Sequence, residues 1–424
     1  MTEENDPKKP ELTLVRGRKG AVGAFASLSL PEKLSRLREA PSKERMEMII
    51  ADPAGMELAR GLRPQELYWT IKDIGPADAV ALLALASPEQ LGFILDMELW
   101  PRAAFSRKQA LEWLGYLVDA GEETVVEQLR HLDPELLLLI LTHEIAVGGG
   151  VGELASDDER TTGWDHSFDN LYFISFRNPK SSRLIGTLLD IAFRLDHDLY
   201  QTLMEGVKNG IESELEEEEG AFRTGRLADL GFPARDEAIS IYARIDPDSF
   251  APASEEKKLL PGSAEFPPAP IRDGSLLART LGRLDPDGLL HELNYLMNSA
   301  LVVEDAPHLD SEGVQGVMER VSGYLAIALE FLCGDDEERA AAVLKREPLK
   351  RLFQLGHALV LRLKKKTEGI AGAGYAAGRV LEGLRADRPK FYRGLDGDGV
   401  DGYREFAAMA DVKKIEEFLE GMGG

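Results

Sequence analysis

Apolar positions recur along this chain in steps of three and four, with polar positions between them. The periodicity of Val80, Leu83 and Leu85, and then of Leu91, Ile94 and Leu95, is read as helical. The stretch "RKQALEWLGYLVDAG" (107–121) predicts a longer helix, with Ala110, Leu111, Leu114, Leu117 and Val118 on its apolar side and Gly121 as its stop. What keeps the other segments short is a repeated phrase. "LRPQELYW" (62–69), "IGPADAVALLAL" (74–85), "LASPEQLGFILD" (85–96), "LDPELLLLIL" (132–141) and "LDPDGLLHEL" (284–293) each contain a proline, with an acid close behind and an apolar run after it. Proline suits the first helical turn, where its missing N–H would find no partner anyway. Ser87, Asp133 and Asp285 precede their prolines as N-caps, and Glu89, Glu135 and Asp287 put negative charge at the positive end of the helix dipole. Each phrase is therefore read as a helix start. Pro64, Pro76, Pro88 and Pro101 are twelve, twelve and thirteen residues apart, which leaves room for helices of two to three turns. Helices this short must stack on their neighbours to bury an apolar face.

The expected architecture is mostly α: a loose tail at 1–26, a repeat-like stack of short helices over 28–146, and further helical regions around a small irregular or β insertion. Residues 147–168 break the helical pattern, and "LYFISF" (171–176) predicts a short strand or hairpin. Helices resume up to about 250. The segment 251–275, "APASEEKKLLPGSAEFPPAPIRDGS", reads as a linker, with five prolines and little periodicity. A C-terminal helical region follows over 276–424.

The stretch "LRPQELYWTIKDIGPADAVALLALASPEQLGFILD" gives 62–146 a resemblance to the short-helix repeats of magnesium-channel N-terminal domains and of a flagellar motor switch protein. The resemblance implies a superhelical stack for that part and no activity. Through "GRLADLGFPARDEAISIYARIDP" and "HELNYLMNSAL", the whole chain resembles an uncharacterised bacterial family of acidic, largely helical proteins, from which no function follows.

Composition narrows the partners. The chain has 424 residues, 44 % of them hydrophobic and 29 % charged, and a formal net charge of −24. That charge speaks against nucleic acid and against an anionic membrane surface. No stretch approaches the length of a membrane span, and the polar N-terminus has no signal-peptide core. With one cysteine, Cys333, no intrachain disulfide forms, which suits a reducing compartment; a cytoplasmic location is expected.

Few motifs carry chemistry. "DGDGVDGYREF" (396–406) fails the calcium-loop register: Val400 and Asp401 stand at positions five and six, and Ala407 at twelve. "VGGGVGE" (147–153) ends on Glu153 where a phosphate loop needs lysine and a hydroxyl. Asp196 and Asp198 flank His197 on different sides of a helix, so no metal site and no cofactor is expected. "LRLKKK" (361–366) reads as a helix C-terminal charge cluster.

The unusual segment is 204–230. Its stripe runs Met204, Val207, Ile211, Leu215, Glu219, Phe222, Arg226 and Leu230. An acid and a base interrupt it about 10 Å apart on one helix, which is read as too far for direct contact, with Arg223 the nearer partner for Glu219. One reading is a polar pocket built from His197, Glu219, Arg223, Arg226, Asp236 and Glu237. The other is a helix broken at Gly220 with "ELEEEE" as a solvated face. The expected function is a non-enzymatic interaction or scaffold protein with a protein partner. The alternative is an enzyme or small-ligand sensor using the polar residues of 196–242.

Overall fold

The computed structural model describes residues 25–150, 163–257, 271, 274–284, 286–305, 311–370, 374–397 and 399–423. It is 68 % helical, with 20 α-helices and two small two-stranded sheets among these residues. The mostly α class with a small β insertion is correct.

The first half holds α1 (Leu30–Glu39), α2 (Ser42–Ala51), α3 (Gly55–Gly61), α4 (Pro64–Ile74), α5 (Val80–Leu83), α6 (Pro88–Glu98), α7 (Arg107–Asp119), α8 (Glu122–His131) and α9 (Pro134–Glu144). Strand β1 (Ile145–Gly149) pairs antiparallel with β2 (Tyr172–Phe176), Ile145 facing Phe176 and Gly149 facing Tyr172. Then come α10 (Ser182–Leu195), α11 (His197–Asn209), α12 (Glu212–Asp229) and α13 (Arg235–Ile239). The second half holds α14 (Leu276–Leu281), α15 (Pro286–Val303), α16 (Ser311–Cys333), α17 (Glu337–Arg346), α18 (Leu349–Lys366), α19 (Tyr375–Arg385), the β3–β4 pair (Phe391–Tyr392 with Tyr403–Arg404) and α20 (Met409–Gly423).

The proline phrase works as expected at four of its sites, Pro286 opening the eighteen-residue α15. Pro64, Pro88 and Pro134 open eleven-residue helices. The Ser87 hydroxyl accepts from Gln90 N–H while the Gln90 side chain accepts from Ser87 N–H, a closed capping box. At Pro76 and Pro101 the expectation is corrected. Pro76 begins a turn ahead of the four-residue α5, and Pro101 begins a single 3₁₀ turn with Arg102 at φ 52°. Asp285 lies outside the described residues.

Stacking is fastened by buried glutamines. The Gln90 amide donates to Ala59 O at 2.8 Å and Leu62 O at 2.7 Å, capping the end of α3. The Gln128 amide donates to Ala86 O at 2.9 Å. Each answers carbonyls that a helix end or tight join leaves without a partner.

Two apolar cores result. The first draws its buried residues from Phe25 to Phe232, the second from Ile241 to Leu419. Phe25 is buried beneath the Lys33 ammonium, so ordered packing begins inside the expected tail; residues 1–24 lie outside the description. Of the expected linker, 251–257 docks on the second core: Ala253 N–H donates to Glu347 at 2.7 Å and Lys257 reaches Glu292 at 2.8 Å. Most of the remainder, 258–270 with 272–273, is not described. In the second core α16 and α18 cross at Gly356, where a Cβ would collide with the Tyr324 carbonyl oxygen. A Cβ on Gly323 would likewise meet the Phe406 carbonyl beyond β4.

Candidate functional site

Helix α12 runs unbroken through Gly220, so the break expected there does not occur. The break lies earlier, at Gly210–Ile211 between α11 and α12, and Ile211 is exposed. Phe222 also faces solvent, and the buried face of α12 carries Leu215, Glu219 and Leu227. The acidic run is divided: Glu214, Glu217 and Glu218 are exposed while Glu219 is fully buried. Glu219 is turned inward because it shares a face with Leu215 and Leu227, and that face packs on α9 and α6.

That inward acid meets Arg226. The guanidinium Nη2 lies 2.5 Å from Glu219 Oε1. The expectation that residues seven apart could not touch was wrong, because it measured the helix axis and ignored the side chains. Seven residues nearly complete two turns, so both side chains leave the same face. Their combined reach closes the axial gap. Arg226 also grips Asp96 of α6 with both prongs, Nε–Oδ2 at 2.9 Å and Nη2–Oδ1 at 2.7 Å, and holds Asp133 with Nη1 at 2.8 Å. Asp133 is at once the N-cap of α9, accepting from Glu135 N–H. One guanidinium thus ties three helices together.

Arg223 is not the partner expected for Glu219. Its Nε donates to the Asp96 carbonyl at 2.7 Å, and its guanidinium lies 5.8 Å from the Trp100 ring centroid. At i+4 it leaves the helix on the side facing α6, where an open carbonyl and an aromatic face receive it.

Burial pushes the Glu219 carboxyl up to about 7, with Asp133 and Asp96 adding to the rise and Arg226 opposing it. Three carboxylates share Arg226, so one of them is left poorly compensated. Glu219 Oε2 has no hydrogen-bond partner among the described residues, and a proton there would remove that excess. Burial also raises Asp96 against the pull of Arg226, and it lowers Arg223.

The other three expected pocket residues lie apart. His197 is exposed at the first turn of α11, stacked on Tyr200 at 5.9 Å between ring centroids. Asp236 and Glu237 are exposed on α13, where Glu237 accepts from the Tyr295 hydroxyl. The six residues form no single pocket. Glu219, Arg223 and Arg226 converge, together with Asp96 and Asp133. Asp96 had a signal in the sequence: it is one of two acids, with Glu98, inside the otherwise apolar run 91–100.

Beside this cluster opens a cleft of about 580 Å³, walled by Pro64, Pro88, Pro134, Phe93, Arg226 and Leu230, with Asp96 and Asp133 in its lining. Three of the repeated helix starts therefore border one cleft.

A second buried network was missed. Arg320 of α16 pairs with Glu405 at 3.0 and 3.1 Å and with Glu304 at 3.1 Å. Arg388 meets Glu304 at 2.7 Å and lies 3.9 Å from the Tyr242 ring centroid. His357 sits among Tyr242, Tyr324 and Phe353, and burial pulls its imidazole down to about 4, with Arg388 and Arg320 lowering it further. Its signal in the sequence was a single arginine within the long apolar helix 314–333.

The chain belongs to the family of unknown function DUF6178, whose profile matches residues 23–422. No curated protein and no solved structure matches the chain. The resemblance of 62–146 to magnesium-channel and flagellar switch repeats is accordingly not supported. A proline after a cap and before an acid is a local rule of helix initiation, which unrelated chains meet independently. Among the described residues no helix is long and apolar enough to cross a membrane, and no group of three or more His, Cys, Asp or Glu side chains is placed to hold a metal ion. Cys333 is buried and burial raises its thiol, which disfavours the reactive thiolate.

Proposed function

We propose that this chain is a non-enzymatic interaction protein and that the cleft between α4, α6, α9 and α12 receives a basic, apolar-anchored segment of a protein partner. The observation that carries the reading is the meeting of three Pro-led helix starts around one open cleft. Its apolar wall is Phe93, Leu132, Leu136 and Leu230, suited to an anchoring side chain. Its free charges are acidic: Glu89 and Asp229 are exposed there, whereas Asp96 and Asp133 are already held by Arg226. The formal net charge of −24 favours the same sign of partner and speeds encounter with it.

The test is affinity capture from the native cell with cross-linking and peptide mapping, using the natural chain and Glu89→Lys/Asp229→Lys. A partner that cross-links near 88–96 and 226–230, and that the charge-reversed chain loses, supports the reading. A chain that comes down alone, or a partner retained by the variant, sinks it.

A second reading, a small-ligand sensor or enzyme at the same cleft, draws on the Glu219 carboxyl, pushed up to about 7 against an arginine that lines the cleft. It requires a ligand that shifts that titration, and a polar metabolite screen read by the Glu219 side-chain NMR signal separates it from the first.

A further inference from the structure

The second half holds a cavity of about 640 Å³ between α16, Ile271 and Ser275 ahead of α14, Asp396, and the chain from Arg404 to Ala407. Its volume falls within the range of small-molecule sites. It lies in the other core from the cleft described above and does not depend on that cleft's function.

Three features of its lining define a chemistry. Ser322 is 6 % exposed, and its hydroxyl has no hydrogen-bond partner among the described residues. A buried hydroxyl left so forfeits its hydration without return, a loss that a ligand group would recover. Beside it, one turn earlier on α16, Glu319 is half-buried; Gln315 donates to it at 2.7 Å, and no cation pairs with it among the described residues. The other charges of the lining are already matched. Glu405 is held by Arg320, and Arg404 is held by Asp396 at 2.9 Å and by Asp411 at 2.7 Å. The apolar part of the wall is Phe406 with the aliphatic Ile271, Ala326 and Ala407. What remains unmatched is one carboxylate, one hydroxyl and an aliphatic surface.

We infer that this cavity binds a small aliphatic primary amine, its ammonium donating to Glu319 and to the Ser322 hydroxyl and its carbon chain lying on Ile271, Ala326 and Ala407. An anion would meet the uncompensated Glu319. A neutral alcohol would satisfy Ser322 and leave the carboxylate without a counter-charge. An ammonium has three donors and answers both.

The experiment is calorimetric titration of the full chain in phosphate buffer with n-butylamine, n-butanol and butyrate. Expected is saturable, one-to-one binding of the amine, at least roughly tenfold tighter than the alcohol, with none of butyrate. Glu319→Gln, on a half-buried position, lowers amine affinity by roughly tenfold, the loss of a charge-assisted hydrogen bond. Ser322→Ala removes a hydroxyl that the free protein leaves unpaired, so it holds or raises the melting temperature of the unliganded chain while weakening the amine by roughly fivefold. No saturable binding at amine concentrations up to about 10 mM overturns the inference. So does equal binding of amine and alcohol, or affinity that neither substitution moves.

Discussion

At the scale of the residue, Arg226 carries the most weight. Arg226→Met leaves Asp96, which is almost fully buried, and Glu219, which is wholly buried, without their cation. The expected loss is about 3–5 kcal/mol, reduced where Asp133 and the open side of the guanidinium see solvent. Arg226→Lys recovers little, because an ammonium cannot place a two-pronged grip on Asp96 and reach two further carboxylates. Urea unfolding of the two variants checks both statements, and a loss below about 1 kcal/mol for the methionine variant refutes the first. Glu219 sets a pH dependence of known sign. Its folded carboxyl lies at about 7 against an ordinary 4.5. Its contribution to stability is therefore fully present below pH 4.5 and is lost as pH rises through about 7. Glu219→Gln keeps the shape and abolishes the titration. Relative to it, the natural chain loses up to about 3 kcal/mol over that window. Unfolding free energies of both chains, measured from about pH 4 to about pH 8, give the difference directly, and parallel curves refute the prediction.

Elements are held at their correct distances by small residues as much as by large ones. Gly356→Ala and Gly323→Ala each place a methyl group against a backbone carbonyl, of Tyr324 and of Phe406, and backbone cannot swing aside as a side chain does. Either substitution is expected to cost about 2 kcal/mol or more by driving packed elements apart. Gly378 is the control. It lies on the exposed side of α19 with nothing within 4 Å of its added Cβ, so Gly378→Ala stabilises by up to about 1 kcal/mol through helix propensity alone. Thermal melts of the three variants should move in these opposite directions. A Gly356→Ala chain that melts with the natural protein shows that α16 and α18 do not pack this closely.

The whole molecule is organised around two cores, and among the described residues polar contacts that join their halves include Asn298 to Gly231 O and Arg235 to Val302 O, both at 3.0 Å. Trp100, Trp113 and Trp164 all lie in the first half, and Trp69 packs where the two cores meet. Tryptophan fluorescence should therefore follow the first core, while far-ultraviolet circular dichroism follows both. Denaturation is expected to give two transitions, with fluorescence completing in only one of them. Arg226→Met should shift that one, and Gly356→Ala the other. Coincident transitions that move together in both variants identify a single cooperative unit instead.

The sequence by itself determined the class and much of the local grammar. The three-and-four spacing specified helices, and the prolines at 64, 88, 134 and 286 marked where four of them begin, because helix initiation is settled within a few residues of chain. The aromatic run 171–176 marked a strand, but its partner β1 was hidden in a glycine-rich stretch, since pairing is a non-local choice. The candidate site was legible only as an oddity, an acid and a base on an apolar stripe. That Glu219 and Arg226 touch, that Asp96 and Asp133 complete the set, and that His197, Asp236 and Glu237 stand elsewhere were decided by how α6, α9 and α12 pack. A buried charge finds whichever partner the tertiary structure brings within reach, and these partners are 93 and 130 residues away along the chain.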